Sequence, residues 1–222
     1  SNLMATRFAV AALRDAGTPT GHRVYKDVLL LATRCQNYPD KPQRADARFD
    51  DGGFYQNPRD PQENKAGIAG KDKWGRERFH SYGSMTADGL WLLLQCGLPP
   101  SHPRVRAARG WLERNFTPTT NPGVFQPDRE FLRDSVYYYY CWAAAHVLAE
   151  LEAREVQTAV GKMPWHQALA AELMRRQRSD GSWANHASDG MEDDPLVGTM
   201  WATAALTLCR RSLASDPALP PG

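Results

Sequence analysis

Leu173–Cys209 reads LMRRQRSDGSWANHASDGMEDDPLVGTMWATAALTLC, and the way it folds decides the rest of the chain. Ahead of the DGSW tetrapeptide, Ala168, Leu169, Leu173 and Met174 recur at helical spacing, and beyond it Leu196, Met200, Ala204 and Leu208 do the same. Two helices are therefore expected to meet at one turn. Gly181 sits where the chain reverses. Trp183 is too large and apolar to stand at a loop tip without a packing partner. The Gln177 amide, with two donors and an acceptor, suits the backbone groups that a helix end leaves open. Together the three residues form a clasp between consecutive helices.

The spacing Leu173-x3-Gln177-x3-Gly181-x-Trp183 resembles the QW motif of the squalene-cyclase and prenyltransferase repeat family. The segments SYGSMTADGL (81–90), Asn121-Pro122-Gly123 and SVYYYYCW (135–142) are similar to stretches of bacterial prenyltransferase/squalene oxidase repeat proteins. The resemblance implies an all-α fold, an α/α toroid of helix hairpins arranged as an inner and an outer ring. Asp51-Gly52-Gly53-Phe54 repeats the Asp180-Gly181-Ser182-Trp183 turn, with Gln36 as the counterpart of Gln177 across an insertion.

Helical periodicity with stop signals places helices at about 2–16, 22–37, 81–97, 102–116, 131–152, 164–177 and 195–211. The segments 81–97, 131–152 and 195–211 are apolar on most faces and are expected to be buried all round; 102–116, with Arg104, Arg106, Arg109 and Arg114, and 164–177 are half-solvated. Alternation of this kind predicts inner helices jacketed by outer ones. About seven helices make a partial ring, one domain over 1–222 or a piece of a larger one, which missing sequence or a partner subunit would complete. No stretch reads as a β-sheet. Between 39 and 80 the pattern gives way to a Pro-, Gly- and charge-rich insertion that still holds Phe49, Phe54, Tyr55, Trp74 and Phe79, aromatics that point to a lid or binding loop.

Composition excludes more than it selects. In 222 residues, 42% hydrophobic and 23% charged describe a soluble globular chain, and 27 basic against 25 acidic residues give a net charge of +2 that implies no nucleic-acid partner. No apolar run approaches the roughly 18 residues that span a bilayer, and no signal-peptide pattern opens the chain. Cys35, Cys96, Cys141 and Cys209 lie far apart and read as buried free thiols. Zinc-dependent members of the superfamily use an Asp-x-Cys pair that this chain lacks, so no metal and no cofactor are expected.

For chemistry, the resemblance points to Met191-Glu192-Asp193-Asp194, which keeps the last two aspartates of the Asp-x-Asp-Asp proton donor of class II terpene cyclases and puts Met191 in place of the first. Asp193 would be the acid, with Asp194 and Glu192 as its neighbours, because packed carboxyls raise one another's pKa. Asp194 before Pro195 also reads as an ordinary helix opening. Aromatic faces stabilise carbocations, so Tyr137, Tyr138, Trp142, Tyr82, Phe54 and Trp74, with Thr199 and Thr203 on the last helix, are the expected lining for an isoprenoid or similar apolar ligand. The competing expectation is a non-catalytic toroid that binds a peptide, glycan or protein through its long loop and inner-helix ends, with a polar, shallow central groove. A polysaccharide-acting enzyme using Asp50, Asp51 or Glu192 is the third.

Overall fold

A computed structural model describes residues 2–186 and 189–214. It is mostly helical, with seven α-helices among the described residues: α1 (Leu3–Asp15), α2 (Arg23–Arg34), α3 (Gly83–Gln95), α4 (Pro103–Asn115), α5 (Tyr137–Glu150), α6 (Trp165–Arg176) and α7 (Pro195–Ala214). None of them is long and apolar enough to cross a membrane. The chain divides into two compact units, Ser1–Leu112 with Gly123–Glu130, and Glu113–Pro122 with Phe131–Gly222.

Two antiparallel hairpins correct the expectation that the chain holds no β-structure. β1 (Ile68–Lys71) pairs with β2 (Glu77–Phe79) in the first unit, with a bulge between Ile68 and Gly70, and β3 (Val156–Thr158) pairs with β4 (Gly161–Met163) in the second. Strands of three or four residues are too short to display a two-residue alternation in sequence.

In the first unit α1 and α2 pack on α3. Asn2 opens α1 by accepting the Ala5 N–H at 2.9 Å. Twelve of the thirteen α3 residues are buried, as a helix without a polar face must be. Among them is Asp88, paired with Arg7 of α1, and both side chains are almost wholly out of solvent. The Arg7 guanidinium also lies over the Trp91 ring at 5.0 Å, so the buried pair is held on an aromatic face.

The second unit repeats the arrangement: α5 and α6 pack on α7. Ten of the fourteen α5 residues are buried, and the helix starts at Tyr137, after two 3-10 turns over Pro127–Leu132 and Asp134–Val136. The third apolar segment departs from expectation. Of the twenty α7 residues only Gly198, Ala202, Ala205 and Cys209 are buried. These small residues recur on one face and let α7 approach its neighbours closely, while Leu196 and Met200 stay 78% and 49% exposed on the other. High mean hydropathy therefore came from small contact residues and outward apolar ones, and α7 is buried on one face.

The clasp occurs in both units. In the second, Gln177 Nε2 donates to Gly181 O at 2.9 Å, Gly181 has φ of +85°, and the Trp183 indole donates to Leu173 O at 2.7 Å. Thr199 Oγ1 of α7 accepts the Trp183 N–H at 3.0 Å. In the first unit Gln36 Nε2 donates to Gly52 O at 3.1 Å, Gly52 has φ of +91°, and Thr86 Oγ1 of α3 accepts the Phe54 N–H at 3.0 Å. Asp51 and Asp180 each accept the N–H two residues on, at 2.9 Å. The Gln-to-Gly separation is sixteen residues in one and four in the other, so twelve residues of the insertion enter inside the clasp without breaking it.

Candidate functional site

The acids singled out in the sequence are placed by the start of α5 and the start of α7. Glu192 is wholly buried. Its carboxyl accepts the N–H groups of Tyr138 at 2.8 Å and Tyr139 at 2.7 Å, and the Asn185 amide at 2.8 Å. Asn185 in turn donates to Asp134 O at 2.7 Å. Glu192 is thus the cap of α5, supplied from a distant loop to N–H groups that have no partner within the helix. Burial pushes its pKa up to about 8 against the downward pull of those N–H groups. Asp193 is exposed, and Asp194, also exposed, accepts the Leu196 N–H at 2.8 Å as the cap of α7.

The tyrosines above this cap are buried and bonded. Tyr137 Oη donates to Pro118 O at 2.6 Å and Tyr140 Oη to Thr117 O at 3.0 Å, while Tyr138 Oη reaches Ala184 O at 3.5 Å. The Arg176 guanidinium covers the Tyr137 ring at 3.9 Å, and Glu172 orients that guanidinium through a 2.6 Å bond. Trp142 belongs to a different group. With Tyr139, His146 and Trp201 it forms an aromatic cluster on α5 and α7, in which Trp142 and Trp201 lie 4.8 Å apart and Trp142 stacks on His146 at 5.6 Å; Trp142, His146 and Trp201 are half-buried. Thr199 is occupied by the clasp, and the exposed Thr203 hydroxyl donates back to Thr199 O at 2.7 Å.

In the first unit the remaining predicted contacts separate. Phe54 is core, held against Gly89. Tyr82 is buried and its hydroxyl donates to Gln56 Oε1 at 3.1 Å. Trp74 stands 47% exposed at the β1–β2 turn, with Lys73 and Arg76 over its ring at 4.5 and 5.0 Å.

The insertion holds a feature that periodicity did not indicate. A pocket of about 450 Å³ is lined by Arg34, Arg44, Arg76 and Arg78, by Asp40, Asp50 and Glu77, and by the phenols Tyr38 and Tyr55. Arg78 bonds Asp50 at 2.7 Å, and both side chains are largely shielded, so a fixed ion pair forms part of its wall. Arg104 reaches Asp40 at 2.7 Å and lies over the Tyr38 ring at 4.9 Å. Tyr55 is anchored by donating to Arg34 O at 2.6 Å. Asp51 accepts from Ser81 Oγ at 2.8 Å and from the Trp111 indole at 3.0 Å, and so ties the clasp to α4 and to the chain just ahead of α3. The local signal for the pocket lay in the matched Asp46-x-Arg48 and Asp72-x3-Arg76 pairs, each closed by a bond of 2.7 to 2.9 Å, which order the loop on either side.

Burial disfavours the thiolate form of the cysteines. Cys35, Cys141 and Cys209 are buried and Cys96 is half-buried. Burial pushes the Cys35 and Cys209 thiols up to about 12 and Cys96 up to about 11. Among the described residues no group of three or more His, Cys, Asp or Glu is placed to hold a metal ion. Comparison with protein-family models, with curated proteins and with solved structures returns no match for the chain.

Proposed function

We propose that the chain is a non-catalytic binding module of the α/α toroid kind, a partial ring of helix hairpins, whose insertion holds a polar ligand. The repeated Gln–Gly–aromatic clasp supports the toroid reading. The observation that carries the binding reading is the pocket of about 450 Å³ walled by arginines, carboxylates and phenols, of a size that suits a ligand and of a chemistry that suits a polar one. Of the three acids at 192–194, Glu192 caps α5 and Asp194 caps α7, and Asp193 stands exposed to solvent. Hydrogen exchange of the intact chain with panels of peptides and oligosaccharides tests this. Protection is expected across residues 34–44 and 76–78, with the ligand recovered unaltered. A chemically changed ligand, or protection by no member of the panels, overturns it.

A second reading keeps an isoprenoid or similar apolar ligand and protonation-initiated cyclisation from Asp193. The cluster of buried Tyr139 with half-buried Trp142 and Trp201 supports it, since aromatic faces stabilise a cation by about 0.5–2 kcal/mol each. Incubation with squalene and shorter polyprenyl substrates decides it. Cyclised product that Asp193→Asn abolishes would establish this reading, and absence of product removes it.

A further inference from the structure

The 39–80 segment carries nine Lys and Arg against eight Asp and Glu, a balance that predicts no charge preference. Folding turns part of the acidic set inward, while Asp40, Asp51, Asp60 and Glu77 stay exposed. Asp46, Asp50 and Asp72 turn inward, their side chains 8%, 7% and 0% exposed, while their partners Arg48 and Arg76 stay 62% and 57% exposed. These three carboxylates hold the loop together; Arg48 and Arg76 face out, while Arg78, the partner of Asp50, is shielded.

On that outward face, and at the adjoining end of α2, some cations have no protein partner among the described residues. The guanidinium groups of Arg34 and Arg44 make no hydrogen bond or ion pair among the described residues, and both line the 450 Å³ pocket. Arg34 also lines a second hollow of about 340 Å³, together with Arg59, an exposed residue whose side chain is equally unpaired among the described residues. Arg34 is thus shared by two adjoining hollows, each with a further free guanidinium. Such spacing fits an extended ligand that presents an acidic group repeatedly.

We infer that the insertion binds an acidic oligosaccharide, a chain of uronate-type sugars whose carboxylates meet Arg34, Arg44 and Arg59. The inference rests on the binding-module reading above and names its ligand class. Three features select a sugar acid. The exposed carboxylates of Asp40 and Glu77 stand in the same pocket, where they accept hydroxyl donors of the kind a sugar ring presents. Tyr38 and Tyr55 give the apolar ring faces on which sugar C–H groups pack. β2 is only three residues long, too short to recruit an extended peptide by strand addition.

The test is calorimetric titration of the whole chain with octagalacturonate, a neutral β-glucan octamer and oligo-glutamate of equal length, alongside hydrogen exchange. Octagalacturonate is expected to bind, to weaken as salt rises, and to lose about tenfold in affinity with Arg44→Ala and again with Arg34→Ala, whereas Arg44→Lys retains part of the binding. Glu77→Gln, which removes a repelling charge, is expected to tighten it. These arginines are exposed, so their replacement leaves the thermal midpoint in place. Equal binding of the neutral glucan, or binding of octagalacturonate that ignores the arginine variants, overturns the inference. Preferred binding of oligo-glutamate across 34–44 and 76–78 also overturns it, in favour of a peptide, and leaves the module reading standing. No protection there by any probe overturns both.

Discussion

Glu192 accepts the backbone N–H of Tyr139 at 2.7 Å across 53 residues of sequence, so the acid that the Met-Glu-Asp-Asp element buries serves the helix that carries the tyrosines. Its worth is structural and measurable. Glu192→Ala leaves buried donors of α5 and of Asn185 without an acceptor, at a cost of about 1–3 kcal/mol for each that finds no water. Glu192→Gln keeps one acceptor oxygen and loses less. Urea unfolding of the two variants against the parent checks the order.

The same residue sets a pH dependence. Its folded pKa of about 8 lies above the ordinary 4.5, so the folded chain holds this proton more tightly than the unfolded one. The stabilisation is complete below about pH 4.5 and is lost as pH rises through 8, at no more than about 1.4 kcal/mol per pH unit. The difference in unfolding free energy between the parent and Glu192→Gln, followed from pH 4.5 to 8, should slope in that direction. A flat difference contradicts the assignment.

The clasp has a cost of its own. Trp183→Phe keeps the packed ring but removes the bond to Leu173 O, for a loss of about 1 kcal/mol, and Trp183→Ala also empties the site, for about 3–5 kcal/mol. Chemical denaturation separates the two. A Trp183→Ala variant as stable as the parent would show that the turn closes without its indole.

Two glycines make distinguishable predictions. A Cβ on Gly89 would lie 2.2 Å from the Phe54 ring, and one on Gly198 would lie 2.4 Å from the Trp183 carbonyl oxygen. Either alanine variant should lose about 1–3 kcal/mol or more. Phe54→Leu is expected to recover part of the loss in Gly89→Ala, because the clash is with a side chain. No change at the Trp183 side chain should rescue Gly198→Ala, where the obstacle is backbone. Thermal melts of the single and double variants give the comparison.

The buried pair of α1 and α3 behaves as a unit. Arg7→Met or Asp88→Leu alone leaves an uncompensated buried charge, at about 3–5 kcal/mol, whereas the double replacement should recover most of it. A double-mutant cycle in denaturant measures the recovery.

What sequence reading recovered, and what it missed, divides by length scale. The clasp was legible because four residue types fall at fixed offsets at a helix end, and its second copy could be traced through Asp51-Gly52-Gly53-Phe54 despite the insertion. Burial of α3 and α5 followed from the lack of a polar face. α7 was misjudged because small residues and exposed Leu196 and Met200 weigh alike in a hydropathy count. The hairpins were too short to show a period, and the outward cations of the insertion and of the end of α2 were hidden by a near-zero local charge. Only folding decides that Asp46 and Asp72 turn inward while Arg34 and Arg44 do not.

Recognition by the insertion, rather than chemistry at residues 192–194, is tested most directly by amide chemical-shift mapping of the full chain titrated with octagalacturonate. Perturbations are predicted at residues 34–44, 57–59 and 76–78. Perturbations confined to 137–142 and 199–203, or none at saturating ligand, would contradict the account.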